Sequence, residues 1–113
     1  MKLRVIKEHR SNYPNPIQFN AEEQLRVGNF DNDYPGWVRV TTSDGNDGWA
    51  PADIIAIEKD KGLGTALHSY CARELNVEPG DVLTVIKEKL GWCWCEDQNG
   101  SAGWVPREIG ELI

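Results

Sequence analysis

The sequence predicts an all-β chain of two tandem, small, five-stranded β-barrels. Three observations lead there. First, the chain of 113 residues repeats itself: Gly36-Trp37 returns as Gly91-Trp92, Gly45 as Gly100, and Gly48-Trp49-Ala50-Pro51 as Gly103-Trp104-Val105-Pro106, all at an offset of 55 residues. Second, apolar residues alternate with a period of two, the signature of half-buried strands. Third, no stretch has helical periodicity over two turns, and turn signals recur every 8–12 residues, the spacing of small β-barrels.

The elements follow in order. Ile17, Phe19, Glu23, Leu25 and Val27 correspond to Leu75, Val77, Asp81, Leu83 and Val85 at an offset of 58, so the first copy carries three extra residues between Val27 and Gly36. In Trp92-Cys93-Trp94-Cys95 the two Trp share one face of a strand and the two Cys the other. The Cys counterparts are Val38 and Val40, so Cys93 and Cys95 read as small hydrophobes rather than metal ligands. Asp97-Gln98-Asn99-Gly100 and Ser43-Asp44-Gly45 supply the positive φ that tight hairpin turns require. Glu78-Pro79-Gly80-Asp81 is a further turn. The charged, Gly-containing stretch from Glu58 to Gly64 reads as a joint. The expected organisation is a first domain over residues 1–57, a linker over 58–65 and a second domain over 66–113.

Composition narrows the function. The 12 Lys+Arg and 18 Asp+Glu give a net charge of −6, divided −2 and −4 between residues 1–57 and 58–113. Neither half is basic, which speaks against nucleic-acid binding and against an anionic membrane surface, because both need clustered cations. No run approaches the roughly 20 apolar residues of a membrane span. Charge from Lys2 onward leaves no signal-peptide core, and three Cys form no even framework, so a reduced, cytoplasmic setting is expected. No nucleotide-binding glycine loop occurs. His9 and His68 are the only histidines, and no nucleophile is aligned with either beyond Cys71, three residues from His68. The expectation is therefore no enzyme, no catalytic residue, no metal and no cofactor.

Residues 66–112 resemble an SH3 domain. Ala66-Leu67-His68-Ser69-Tyr70 resembles the family's Ala-Leu-Tyr-Asp-Tyr opening, and Glu74-Leu75-Asn76-Val77-Glu78-Pro79-Gly80-Asp81 its Glu-Leu-Ser-Phe-x-x-Gly-Asp segment. Gly91-Trp92-Cys93-Trp94-Cys95 resembles the Trp-bearing strand, and Gly103-Trp104-Val105-Pro106-Arg107-Glu108-Ile109 the Gly-Tyr-Ile-Pro-Ser-Asn-Tyr close. The first half keeps the last two motifs. The whole chain is similar to small bacterial proteins made of two SH3-type domains.

That resemblance implies a groove for an extended, left-handed proline-rich peptide. It places His68, Tyr70, Trp92, Pro106 and Ile109 along the groove of the second half, and Trp37, Pro51 and Ile54 along that of the first. Tyr13, in the long loop Asn12-Tyr13-Pro14-Asn15-Pro16, stands in for a missing groove aromatic. His68 and Ile109 replace two tyrosines of the family pattern, and the loop from Tyr70 to Leu75 is short, retaining Glu74 as its one acid. Trp37, Trp92 and Trp94 are expected partly exposed, and Trp49 and Trp104 packed. The expected function is a monomeric adaptor or regulatory protein that binds a protein or peptide, proline-rich or basic. The alternative is a cell-envelope module for peptidoglycan stem peptides.

Overall fold

The computed structural model describes residues 1–11 and 14–113. Twelve strands are formed among them: β1 (Lys2–Val5), β2 (Gln18–Phe19), β3 (Gln24–Phe30), β4 (Trp37–Thr41), β5 (Asp47–Pro51), β6 (Ile55–Glu58), β7 (Leu63–Ala66), β8 (Tyr70–Cys71), β9 (Val82–Lys89), β10 (Trp92–Glu96), β11 (Ala102–Pro106) and β12 (Gly110–Leu112). The helical elements among the described residues are single 3-10 turns, so the fold is all-β.

Two five-stranded antiparallel sheets result, in the orders β11-β10-β9-β1-β12 and β5-β4-β3-β7-β6. The alternation seen in the sequence is the alternation of burial. Val38 and Val40 on β4, and Cys93 and Cys95 on β10, are wholly enclosed. The two hairpin turns are built alike: the Asp97 carboxylate accepts the Asn99 and Ser101 N–H, the Asp44 carboxylate accepts the Asn46 N–H, and Gly100 and Gly45 take positive φ of 83° and 86°.

The sheets do not follow the two halves of the repeat. One compact unit, here unit 1, comprises Met1–Pro14 with Arg73–Ile113, and the other, unit 2, is Asn15–Ala72. These units are cut differently from the sequence copies expected at 1–57 and 66–113 with a linker over 58–65. Residues 55–66 form the β6–β7 hairpin of unit 2, with Ile55 opposite Ala66 and Glu58 opposite Leu63. β1 and β7 are equivalent strands of the repeat, and they have changed places. β1, from the first copy, lies between β9 and β12 of the second, whereas β7, from the second, lies between β3 and β6 of the first.

Side-chain size explains the exchange. Leu3 and Val5 of β1 are large and fully buried, and they lie against Gly110 of β12. A Cβ on Gly110 would fall 2.7 Å from Leu3 Cγ. Their equivalents on β7, Gly64 and Ala66, are small and lie against Ile55, where a Cβ on Gly64 would fall 2.6 Å from Ile55 Cγ2. Each large strand thus meets a small residue and each small strand a large one. The unexchanged pairing would set Leu3 and Val5 against Ile55 and leave a void between Gly64 and Gly110, and close-packed interiors tolerate neither.

Each unit has its own core. That of unit 1 gathers Leu3, Val5, Leu75, Val77, Leu83, Cys93, Cys95, Val105 and Ile109. That of unit 2 gathers Ile17, Phe19, Leu25, Val38, Val40, Ala50, Ile55 and Ala66. Charge also divides unevenly. Unit 1 carries eight Lys+Arg and nine Asp+Glu, whereas unit 2 carries four and nine, so nearly all of the net negative charge belongs to unit 2.

Candidate peptide-binding surfaces

The exchange redistributes the expected groove residues. Trp92, Pro106 and Ile109 belong to unit 1, and His68 and Tyr70 to unit 2 with Trp37, Pro51 and Ile54. The set His68, Tyr70, Trp92, Pro106 and Ile109 is therefore divided between the two units. Tyr13 lies outside the described residues.

In unit 1 the place expected for Tyr70 is taken by His9, which follows Val5 at the same distance that Tyr70 follows Ala66. Backbone bonds fix it there: the His9 N–H donates to the Val77 carbonyl (3.0 Å) and the Val77 N–H to the His9 carbonyl (2.9 Å). The His9 ring then stands edge-on to Trp92, with centroids 5.9 Å apart and planes at 76°. Its Nε2 is 2.8 Å from Glu74 Oε1, and both side chains are mostly enclosed. Trp92 opens β10 after the two-residue turn Leu90-Gly91 and lies opposite Pro106; both are half-buried. The surface combines an aromatic face, a proline and a carboxylate. His9 was not singled out from the sequence, although its spacing from Val5 carries the signal.

Further along β10 lies a second aromatic pair. Trp94 and Trp104 face each other on β10 and β11, with centroids 5.3 Å apart and planes at 68°, and Lys87 Nζ sits 5.7 Å over the Trp104 ring. Trp104 is buried because the segment Arg73–Leu75 runs alongside β11, giving a bond from the Trp104 N–H to the Arg73 carbonyl (2.8 Å) and one from the Leu75 N–H to the Trp104 carbonyl (3.1 Å). Trp94 stays half-buried.

Two expected groove residues are core residues instead. Ile109, 6% exposed, is turned into the unit 1 core by the 3-10 turn Arg107–Ile109. An aliphatic side chain has no polar end to keep at the surface, so it buries where a tyrosine would stay half out. Pro51 is fully buried at the end of β5, and its place is fixed by its pairing with Trp37.

In unit 2, Tyr70 is half-buried against the core, its ring 5.6 Å from Phe19. His68 is exposed, and Trp37 and Ile54 are half-buried. Arg39, the counterpart of Trp94, lies 5.3 Å from the Trp49 centroid and is fastened to Asp47 through Nε (3.0 Å) and Nη2 (2.6 Å). Trp49 is thereby half-buried rather than enclosed like Trp104. The β3–β4 connection presents Asp31, Asp33 and a largely exposed Tyr34 beside Trp37, and Asp31 Oδ1 accepts the N–H groups of Asp33 and Tyr34.

The thiols of β10 face inward. Burial raises the Cys93 pKa to about 11, with a smaller push from the Glu88 carboxylate 3.6 Å away, and raises that of Cys95 to about 12. Both stay protonated at neutral pH and act as core side chains.

No helix among the described residues is long and apolar enough to cross a membrane. No curated protein and no solved structure matches the chain. The family model described as variant SH3 domain matches it twice, over residues 2–58 and 67–113. SH3-type domains are generally protein-interaction modules without catalytic activity. The repeat, the two all-β units and the double match together make the chain a member of the variant SH3 domain family, carrying two copies of the domain.

Proposed function

We propose that the chain is a non-enzymatic adaptor or regulatory protein whose unit 1 surface takes an extended peptide containing proline and a basic residue. The observation that supports this reading is the cluster of Trp92, His9 and Glu74, a half-buried indole against an imidazole that is itself bonded to a carboxylate. A polyproline II segment has its conformation already set, so it docks on flat aromatic and proline surfaces at little entropic cost. Trp92 and Pro106 supply those surfaces. The Glu74 carboxylate has about four acceptor positions, so its bond to His9 leaves others for a ligand guanidinium or ammonium. The Glu74 carboxylate draws a cationic ligand residue and repels an acidic one, and salt weakens that attraction.

The five Trp indole N–H groups are natural reporters for the test. A proline-rich peptide flanked by Arg, titrated into the labelled full chain, shifts the Trp92 indole signal first. Trp92→Ala abolishes binding. Glu74→Gln weakens binding and flattens its salt dependence. Shifts confined to unit 2, or binding indifferent to Trp92→Ala, would overturn the assignment.

A further inference from the structure

We propose that a second copy of this chain can supply the N-terminal strand of unit 1, so that the Trp92 surface of one copy is completed by His9 of the other. Two observations carry this. Residues 15–72 form unit 2 from one contiguous stretch, so the N-terminal segment can leave unit 1 without breaking a strand pairing of unit 2. The slot it leaves, between β9 and β12, is also shaped for this segment rather than for its repeat equivalent β7. Gly110 makes room for Leu3 and Val5, while Gly64 and Ala66 of β7 would leave the slot half empty.

The incoming segment makes the same contacts from either source. These are the β1 pairings, the bonds of the Ile6 and Lys7 N–H to the Ile109 carbonyl, the His9–Val77 bridge and the His9–Glu74 pair. The choice between one chain and two is then one of concentration. A segment tethered to its own slot acts at an effective concentration near millimolar, so the exchanged dimer forms when the chain refolds at comparable concentration. It persists after dilution, because release requires unit 1 to open.

The test mixes two full-length variants. One carries Leu3→Gly with Val5→Ala, an emptied donor beside an intact slot. The other carries Gly110→Ile, an intact donor beside a filled slot. Each alone is monomeric by light scattering and has Trp92 fluorescence shifted to the red. Refolded together, they give a species of doubled mass in which the Trp92 shift is reversed in both copies, because the emptied donor fits the filled slot as Gly64 and Ala66 fit Ile55. A mixture that stays monomeric overturns the proposal. So does a dimer that still forms when the Gly110→Ile variant also carries the emptied donor. Should either variant fail to stay soluble, the unmodified chain decides alone. A dimer fraction that rises with refolding concentration supports the proposal, and a monomer at every concentration overturns it.

Discussion

Leu3 lies directly across from Leu83, a strand of the first repeat copy laid on a strand of the second. The equivalent residue of the second copy, Gly64, lies across from Leu25 of the first. Nothing in backbone hydrogen bonding distinguishes this arrangement from two self-contained copies, since the same ladders form either way. The difference is side-chain volume at Leu3, Gly64, Ile55 and Gly110.

The volume argument predicts the cost of filling the small positions. Gly110→Ala places its methyl 2.7 Å from Leu3 Cγ and 2.9 Å from the Arg4 carbonyl oxygen. Overpacking of this kind costs about 1–3 kcal/mol. Leu3→Ala made alone also destabilises, through the lost burial. Combined, the two cost less than their sum, because the shorter side chain clears both Leu3 contacts, Cγ and Cδ2, and leaves that of the Arg4 carbonyl. Urea denaturation of the four proteins of that double-mutant cycle gives the coupling directly. Strict additivity would mean that Leu3 and Gly110 are not matched.

Where the chain can be cut follows from the same exchange. A fragment of residues 15–72 contains every strand of unit 2, with its ends brought together where the Ala72 N–H donates to the Ile17 carbonyl at 2.9 Å. It is expected to give a dispersed amide spectrum and a cooperative melt. A fragment of residues 1–57 lacks β7 and must press Leu3 and Val5 against Ile55, so it is expected to be markedly less stable. If 1–57 proves the more stable of the two, side-chain volume does not dictate the exchange.

Leu90 combines exposure with strain. It takes φ 51° in the two-residue turn before Trp92, in a region that disfavours branched side chains, and it is 43% exposed. Asn is the preferred residue at the first position of an Asn-Gly hairpin turn. Leu90→Asn is therefore expected to raise stability by about 0.5–1 kcal/mol and the melting temperature with it. A lower melting temperature would show that Leu90 packs where it was read as strained. Backbone strain beside a binding surface is commonly kept for function, so the same variant is expected to bind peptide less well.

The repeat, the strands, the paired turns and the inward-facing cysteines were legible in the sequence because each depends on neighbours within a few residues. The exchange was not. Family motifs align continuously through each half, and a linear pattern cannot say which copy of a strand fills which slot. The information was present in Leu3, Gly64, Ile55 and Gly110, but it is relational and appears only when the two possible pairings are compared by volume. The same blindness divided the expected groove: His68 and Tyr70 were grouped with Trp92, while His9, its actual neighbour, was passed over. Ile109 and Pro51 were misplaced for a local reason, since a motif position fixes the backbone and not whether the side chain there is buried.

Alkaline pH is expected to destabilise unit 1. An unfolded thiol titrates near 9, whereas Cys93 and Cys95 in the fold titrate near 11 and 12. The fold therefore holds these protons more tightly than the unfolded chain does. The stabilisation is complete below pH 9 and is lost as pH rises from 9 through 11 to 12. For a group shifted by about two units the loss is on the order of 3 kcal/mol. Replacing both by valine, the side chain at Val38 and Val40, is expected to remove the decline across that window in urea midpoints. A variant that loses stability with pH as the parent does would place the cause elsewhere.

Trp92 and Trp104 separate recognition from packing. Trp104 is 5% exposed, closed over by Trp94, Lys87 and the Arg73–Leu75 segment. Emptying such a site by Trp104→Ala is expected to cost about 3–5 kcal/mol. Trp92 is half-buried and rests edge-on against His9, so its truncation removes less enclosed surface and leaves the sheet pairings of β10 in place. Trp92→Ala is therefore expected to cost about 1–2 kcal/mol of stability, within the ordinary range for single substitutions. Its larger effect is on peptide affinity, where exposed aromatic anchors carry a disproportionate share of the binding energy. Thermal melts of both variants, read beside the peptide titration, decide the matter. Equal destabilisation by the two substitutions would make Trp92 a structural residue and move the ligand surface away from it.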